Sequence, residues 1–307
     1  MTTSSEAPDA PAPDRSVLLV LHGGRPEAVT LAREVVGKLA AAGVGCRVPA
    51  DERDLLAGEP VVAVAPGPRA SRGCELVVVL GGDGTILRGA EYAHADGTPL
   101  LAINLGHVGF LAEAEPDDLD VVVAAIAARR YVVEERLALD VVAMAGADEL
   151  WRTWALNEAS VEKESRERMI EVVVGVDGQP LSRWGTDGVV CATPSGSTAY
   201  AWSAGGPVVW PELDALVVVP ISAHALFARP LVVAATAVVA IEVLPTFGGA
   251  VVWCDGRRSF ELPEGARVEV RRHRDPVRFA RLHPVSFTER LVAKFSLPVQ
   301  GWRGGRT

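Results

Sequence analysis

Three glycines and an aspartate stand directly after an apolar run, in the order Gly81-Gly82-Asp83-Gly84-Thr85. The run itself, Leu76–Leu80, is typical of a buried strand, and helical spacing begins near Ile86. Glycines let backbone N–H groups approach a phosphate closely, and a helix start adds partial positive charge. A carboxylate beside phosphate oxygens is repelled unless it holds a cation or takes a proton. Asp83 therefore either holds Mg²⁺ or accepts a proton from an attacking hydroxyl, and both roles belong to phosphoryl transfer.

The alternative for this segment is a tight turn in which Asp83 only caps the following helix. A cap needs one short polar residue, whereas this turn places three glycines around an acid. The spacing also matches neither the Walker A pattern nor GxGxxG. The sequence therefore favours phosphate chemistry of another type.

A second stretch, Asp187 to Pro207, is dense in hydroxyls and glycine. An apolar strand, Gly188–Ala192, is expected to enter a turn, and a short helix is expected to begin near Ser197. Backbone N–H groups at that helix start, with the Ser and Thr hydroxyls, suit a diphosphate or a ribose. Tyr200 can pack on a ligand and still present its hydroxyl. The alternative is an ordinary helix capped by Ser or Thr.

Two shorter stretches carry a weaker signal. Gly106 and Gly109 are expected to bend the chain, so that Phe110 either offers a flat apolar face or belongs to the core. Asn157 and Glu158 place an amide beside a carboxylate, a pair that can satisfy both the edge of an adenine ring and ribose hydroxyls. On their own, these two residues are better explained as a turn or a strand end with exposed polar side chains.

The first half of the chain alternates strand and helix patterns. This alternation predicts an α/β domain over residues 16–130 with a mainly parallel sheet, after a disordered tail at 1–15. The expected strands are Ser16–His22, Leu76–Leu80 and Pro99–Asn104, and the expected helices are Pro26–Ala42, Ile86–Ala95 and Pro116–Arg130.

From Tyr131 onward, short β-branched runs separated by turns replace the helical period. Asp177-Gly178 and Asp255-Gly256 are typical hairpin turns. Residues 131–285 are therefore expected to form an all-β domain of stacked sheets, in which Leu231–Leu244 is strand material. Residues 286–307 are expected to form a segment that returns to the first domain.

Composition limits the partners. The net charge of −9 argues against DNA or RNA, which attract basic proteins. Four cysteines without a CxxC pair suggest neither a disulfide framework nor a zinc site. The longest apolar run, Leu231–Leu244, is too short to span a bilayer. We expect a cytoplasmic protein that does not bind a membrane, and a small anionic ligand is still permitted because a local pocket can oppose the overall charge.

The turn at 81–85 resembles the glycine-rich turn of NAD kinases, of diacylglycerol and sphingosine kinases and, as a close variant, of phosphofructokinases. Three further stretches are similar to NAD kinases in particular: Asn104–Leu111, Trp154–Ala159 and, most specifically, Asp187–Pro207. The resemblance covers about residues 16 to 300. It implies an N-terminal α/β domain like those of phosphofructokinases and diacylglycerol kinases, followed by a β domain.

This resemblance implies Mg²⁺-dependent transfer of a phosphoryl group from ATP or polyphosphate to the 2′-hydroxyl of the adenosine ribose of NAD, which gives NADP. It also implies a homodimer or homotetramer in which a neighbouring subunit completes the NAD site. Asp83 is the expected catalytic acid–base residue, and no protein side chain is assigned as a metal ligand. The expected nucleotide-binding residues are Asp83, Gly84, Arg88, Asn157, Glu158, Arg168, Asp187, Thr198, Ala199, Tyr200, Ala201, Trp202 and Ser203.

Some positions depart from the family pattern or stay ambiguous. Ser195 stands where the family usually has Thr, and Arg257 where many members have Gln or Asn. The loop His22-Gly23-Gly24-Arg25 is compatible with donor phosphates, but a solvated loop is the simpler interpretation. The same holds for His107 and His224.

Two other functions are compatible with parts of the sequence. A lipid or sphingoid kinase would share the glycine turn, but the chain shows no apolar segment suited to a membrane surface, and the 187–207 stretch favours a polar nucleotide. A non-catalytic sensor of NAD or NADP would share the fold, but it would have no need for Asp83.

Overall fold

The structure is a computed structural model that describes residues 15–105, 109–112, 118–245, 249–282 and 286–299. These residues divide into two compact units. Residues 15–133 and 280–282 form the first unit, and residues 134–279 and 286–299 form the second.

The first unit is built on a seven-stranded sheet. Its elements are β1 (Arg15–Leu21), α1 (Pro26–Ala41), β2 (Val44–Pro49), β3 (Val61–Val64), β4 (Leu76–Leu80), α2 (Asp83–Ala93), β5 (Leu100–Ile103), α3 (Leu119–Ala128), β6 (Val132–Arg136) and β19 (Val277–Arg281), with 3₁₀ turns at Ala50–Leu56 and His94–Asp96. The strand order is β3-β2-β1-β4-β5-β19-β6, and the pairs that join the first five strands in this order are parallel.

The core of this unit follows from its sequence pattern. The strands β1 and β4 are buried on both faces, as expected of central parallel strands. The helix α1 turns a stripe of apolar residues, among them Val35, Val36 and Leu39, onto the sheet. It begins with Pro26 at its first position, where the missing N–H costs nothing.

The second unit contains two six-stranded sheets. Its elements are β7 (Leu139–Ala145), β8 (Asp148–Ala155), β9 (Glu158–Lys163), β10 (Ile170–Val176), β11 (Gln179–Thr186), β12 (Gly188–Ala192), α4 (Tyr200–Ser203), β13 (Ala215–Ile221), β14 (Leu231–Ala234), β15 (Val239–Val243), β16 (Ala250–Cys254), β17 (Arg258–Leu262), β18 (Arg267–Arg272) and α5 (Phe287–Phe295), with a 3₁₀ turn at Gly196–Thr198. The strand orders are β11-β10-β15-β18-β7-β8 and β14-β13-β12-β9-β16-β17, and the described pairs are antiparallel.

One apolar core joins the inner faces of the two sheets, and Trp184 is its largest fully buried side chain. The indole N–H of Trp184 donates to the Phe227 carbonyl at 2.9 Å, so its one polar group is satisfied. The expected fold class, an α/β part followed by an all-β part with stacked sheets, is confirmed.

Two expectations about elements need correction. Leu231–Leu244 is not one stretch of strand: β14 and β15 belong to different sheets, and a turn at 235–237 separates them. This turn contains neither Gly nor Pro, so hydrophobic pattern alone does not locate it. The segment that returns to the first sheet is β19, whereas α5 groups with the second unit.

The helix α5 is fixed by its ends. Ser286 and Glu289 form a capping box at its start. The ring of Phe287 lies 5.2 Å from that of Trp210, and the ring of Phe295 lies 4.8 Å from that of Trp202. Among the described residues, no helix is long and apolar enough to cross a membrane.

Candidate active site

In the first unit, the ends of three neighbouring parallel strands bring polar groups to one edge of the sheet. The N–H of His22 donates to the Leu80 carbonyl at 3.0 Å, and the N–H of Gly81 donates to the Ile103 carbonyl at 3.1 Å. These bonds register the ends of β1, β4 and β5. Asp83 then opens α2 at this carboxyl edge, where open α/β sheets bind their ligands.

The glycines of the 81–85 turn have different roles. A Cβ on Gly81 would lie 2.5 Å from the hydroxyl of Thr85, so this glycine is required by packing inside the turn. A Cβ on Gly82 or Gly84 would meet nothing within 4 Å. Packing does not explain these two glycines, whereas the close approach of a ligand to their backbone does.

Asp83 is the first residue of α2 and not its N-cap: the N-cap is Gly82, which makes no side-chain cap hydrogen bond. The Asp83 carboxylate lies against Gly109, where a Cβ would come within 2.6 Å of its Oδ1 atom. Gly109 thus leaves room for this carboxylate. This contact goes beyond the chain bend that the sequence suggested, and Phe110 beside it is buried.

Arg88 lies one turn beyond Gly84 on the same helix. Its guanidinium donates to the Leu21 carbonyl at 2.5 Å and pairs with the carboxylate of Glu52. The other oxygen of Glu52 accepts the N–H of Leu21 at 3.0 Å. Burial raises the pKa of Glu52, and the charge of Arg88 opposes that rise. Arg88 is therefore anchored at the end of β1, and sequence reasoning missed the anchor because Glu52 is distant in the chain.

A single carboxylate at this turn suits Mg²⁺, which is usually held by one or two carboxylates together with substrate phosphates and water. Among the described residues, no group of three or more His, Cys, Asp or Glu side chains converges as a metal site. The nearby loop after β1 ends with Arg25, which donates to the Leu105 carbonyl at 3.0 Å. His107 lies outside the described residues.

In the second unit, an open cavity of about 500 Å³ lies over β9 and the β16–β17 turn. This volume is in the usual range for small-molecule sites. The residues that line the cavity are Glu158, Ser160, Glu162, Tyr200, Trp253, Asp255 and Gly256.

Three of these lining residues are acids, so the cavity suits hydroxyl, amide or amine donors better than phosphates. Burial, reinforced by the charge of Asp255, raises the pKa of Glu158 to about 8. Its Oε2 atom is buried and has no hydrogen-bond partner among the described residues. A ligand donor would satisfy that oxygen.

Tyr200 closes one side of the cavity. Its side chain is 37% exposed, and burial together with the neighbouring Glu162 carboxylate raises its pKa. The hydroxyl of Ser160 donates to Glu162 at 2.5 Å. Tyr200 and Glu158 are therefore two of the predicted residues that the fold brings together.

The other residues of the predicted 198–203 run point in different directions. Ala201 is buried in a small core with Val190 and Val217. Trp202 contacts Phe295 of α5, and the Thr198 hydroxyl donates to the Ser195 carbonyl at 3.2 Å. Ala199 is half-buried and Ser203 is exposed. A run of consecutive residues cannot all face one ligand when it turns through a short helix.

Three predicted residues lie outside the lining of this cavity. Asp187 pairs with Lys163 at 2.6 Å, and Arg168 is exposed in the connection between β9 and β10. Asn157 is buried next to Glu158. Two residues depart from the family pattern. Ser195 is buried in its turn, and the N–H of Arg257 donates to the Cys254 carbonyl at 3.0 Å. The N–H of His224 donates to the Gly185 carbonyl, away from the cavity lining.

The sequence did not identify Glu162, Trp253 or Asp255 as site residues. Asp255-Gly256 was recognised only as a hairpin turn, and nothing local distinguishes it from Asp177-Gly178. Both turns have positive φ at both residues, 55° and 63° in one and 51° and 77° in the other. Only the fold shows that one of them faces the cavity.

The chain matches two family models and is similar to several known proteins. Residues 64–131 match the family described as "ATP-NAD kinase N-terminal domain", and residues 156–282 match "ATP-NAD kinase C-terminal domain". "NAD kinase 2" of Streptomyces coelicolor is 59% identical over 292 residues, which are 94% of this chain and 97% of that protein. "NAD kinase" of Thermobifida fusca is 58% identical over 300 residues, which are 95% of this chain and 92% of that protein.

Two solved structures share the fold. The yeast NADH kinase complexed with NADH has a TM-score of 0.85 at 23% identity, with 95% of this chain and 91% of that chain covered. An NAD kinase from Archaeoglobus fulgidus in complex with ATP has a TM-score of 0.68 at 26% identity, with 92% and 98% covered.

Proposed function

The chain belongs to the NAD kinase family, and on that premise we propose that it transfers a phosphoryl group from ATP or polyphosphate to the 2′-hydroxyl of the adenosine ribose of NAD, which gives NADP. The observation that carries this proposal is the position of Asp83. Asp83 is the first residue of α2, at the carboxyl edge of a parallel sheet. It stands between Gly82 and Gly84, where an added Cβ would meet nothing within 4 Å.

The two units differ in the groups that they offer to a ligand. The N–H groups of Gly82 and Gly84 hold donor phosphates, and Arg88, anchored by Glu52, adds positive charge beside them. The acidic cavity of the second unit receives the uncharged adenosine of NAD, whose ribose hydroxyls and exocyclic amino group donate to Glu158 and its neighbours.

The chemical step is an in-line displacement. The ribose oxygen forms a bond to the terminal phosphorus, the bond from that phosphorus to the bridging oxygen of the donor breaks, and the shortened donor leaves with the electron pair. Asp83 takes the proton of the 2′-hydroxyl and releases it to solvent. A positioned base contributes roughly 10²–10⁴-fold. Mg²⁺, held by Asp83 or by the donor phosphates, would neutralise charge on the transferred group.

Assembly into a homodimer or homotetramer, with a neighbouring subunit completing the NAD site, belongs to the same proposal. It is supported by the openness of the cavity and by its exposed aromatic residues: Trp253 is 40% exposed and Tyr200 is 37% exposed. Light scattering on the eluting protein measures the mass, and a monomer that is fully active would contradict this part of the proposal.

The test is a coupled assay with NAD, ATP and Mg²⁺, in which a strictly NADP-specific dehydrogenase detects the product. Polyphosphate replaces ATP in a parallel reaction, and EDTA removes the metal in a third. We expect NADP with at least one donor and none after EDTA. Diacylglycerol in micelles tests the lipid-kinase alternative. Phosphorylation of the lipid without any NADP would overturn the proposal.

A further inference from the structure

Asp255 is the most deeply buried acid of the cavity, and its side chain is 2% exposed. It lies in the turn between β16 and β17, far in sequence from the residues that it contacts. Its Oδ2 atom accepts the N–H of Leu156 at 2.9 Å, and its Oδ1 atom accepts the N–H groups of Asn157 at 2.7 Å and Glu158 at 3.3 Å. One carboxylate thus binds three consecutive amides.

The carbonyl groups of the same three residues are bound as well. The hydroxyl of Thr193 donates to the Leu156 carbonyl at 2.6 Å, and its N–H donates to the Asn157 carbonyl at 2.8 Å. The N–H of Asp255 donates to the Glu158 carbonyl at 3.0 Å. The six backbone polar groups of residues 156–158 are therefore all bound by Asp255 and Thr193. What the segment has left for a ligand in the cavity is the side chain of Glu158.

Arg258 also stabilises the charge of Asp255. Arg258 donates to Oδ2 at 2.8 Å, and its guanidinium stacks over the Trp154 ring with 4.6 Å to the ring centroid. These partners of the carboxylate are all donors, and charge-assisted hydrogen bonds of this kind are stronger than neutral ones. A neutral amide at position 255 would lose that strength and would turn its own N–H₂ group towards N–H donors.

We propose that Asp255 is a positioning residue for the nucleotide acceptor. It fixes the backbone of residues 156–158 so that the side chain of Glu158, which lines the cavity, meets the nucleoside of NAD. It therefore sets the affinity for NAD and leaves the affinity for the donor unchanged. This inference rests on the proposed function, because it assigns the cavity to NAD.

The test variant is Asp255→Asn, and the matched control is Asp177→Asn. Both aspartates lie at positive φ before a glycine in a hairpin turn, and asparagine tolerates that conformation. Asp177 accepts only the exposed N–H of Val238 at 2.9 Å in the described contacts. The two variants therefore share the turn geometry and differ in what the carboxylate holds.

We expect Asp255→Asn to raise the KM for NAD roughly tenfold and to leave the KM for ATP unchanged, and we expect Asp177→Asn to change neither constant. KM does not depend on how much of the enzyme is folded, so a purely structural effect would lower only the apparent kcat. Equal KM values for NAD in wild type and Asp255→Asn, or parallel rises for both substrates, would overturn the proposal.

A second measurement requires no turnover. Amide hydrogen exchange of the ligand-free protein is expected to show faster exchange at residues 156–158 in Asp255→Asn and no change there in Asp177→Asn. We call the binding of the 156–158 backbone by Asp255 the clamp. Unchanged amide exchange at residues 156–158 would overturn the clamp. If the wild type made no NADP while the exchange result held, the proposed function would fail and the clamp would stand.

Should Asp255→Asn fail to fold, Arg258→Gln replaces it. This variant removes the cation that faces Oδ2 and leaves the carboxylate in place. A smaller rise of about two- to fivefold in the KM for NAD alone is expected, and a KM for NAD equal to that of the wild type would count against the proposal.

Discussion

The glycine turn at 81–85 and the clamped segment at 156–158 treat their backbone in opposite ways. In the turn, space is left open around Gly82 and Gly84, and Gly82, the N-cap of α2, makes no side-chain cap hydrogen bond. In the clamped segment, every backbone N–H and C=O is bound by Asp255 or Thr193. A turn with open space around two of its glycines can bind phosphates through the backbone N–H groups there. A segment whose backbone groups are all bound must recognise a ligand with its side chains.

The largest expected effect concerns Asp83, the acid in the turn at 81–85. Asp83→Asn should bind NAD normally and turn over roughly 10²–10⁴-fold more slowly, because the amide cannot take the hydroxyl proton. Steady-state kinetics with titration of NAD binding measures both. Asp96→Asn, the same change at an exposed position after the other end of α2, is the control. Near wild-type turnover in Asp83→Asn would remove Asp83 from the role of base.

A methyl group at Gly196 tests whether the clamped segment depends on tight packing. A Cβ there would lie 2.0 Å from the Asn157 carbonyl oxygen, a distance that only a shift of the backbone can relieve. We expect Gly196→Ala to lower the free energy of unfolding by about 3 kcal/mol and to weaken NAD binding. Chemical denaturation and NAD titration check this. A variant as stable as the wild type would show that the backbone near Asn157 can move to accept the methyl group.

The raised pKa of Glu158, in the clamped segment, should make the free energy of unfolding depend on pH. Its pKa is raised from 4.5 to about 8, so between these values the folded protein holds a proton that the unfolded chain has lost. The stability contributed by this proton is complete below pH 4.5 and is lost as pH rises towards 8. From pH 6 to pH 8, wild type should lose about 2 kcal/mol more stability than Glu158→Gln.

Denaturant unfolding at several pH values measures that difference, and Glu261→Gln, at an exposed position on β17, is the control. Parallel stability curves for wild type and Glu158→Gln would show that Glu158 ionises with an ordinary pKa.

The smallest expected effect concerns Gly84, which contrasts directly with Gly196. A Cβ at Gly84 meets nothing within 4 Å and its φ is not positive, so Gly84→Ala should fold as well as wild type or gain about 0.5–1 kcal/mol as a helical alanine. The KM for ATP should nevertheless rise about three- to tenfold, because the methyl group would keep phosphates from the backbone. An unchanged KM for ATP would indicate that the donor does not approach Gly84.

The sequence identified elements and motifs better than it identified contacts between residues that are distant in the chain. The strand Leu76–Leu80, the turn after it and the two Asp-Gly hairpins were predicted from local pattern, because hydrophobic period and turn chemistry are local properties. The pairing of Arg88 with Glu52 depends on contacts across more than thirty positions, and no period or motif encodes such a contact.

The candidate site shows the same limit. The sequence named Glu158 and Tyr200, which the fold brings to one cavity, but it also named their neighbours Ala201 and Trp202, whose side chains face a core and α5. It recognised Asp255 as a turn residue only. The direction of a side chain follows from the exact helix or strand start, and local sequence pattern fixes that start only to within a residue or two.

The position of β19 in the first sheet has a consequence for synthesis on the ribosome. β19 lies between β5 and β6, yet Val277 leaves the ribosome long after Ile103. At about 5–20 residues per second, β5 waits on the order of ten to thirty seconds for its neighbour. During that time the nascent sheet ends in an open edge, the kind of surface on which chains pair wrongly. Translation speed and chaperone cover over this interval are therefore expected to affect the yield of folded enzyme.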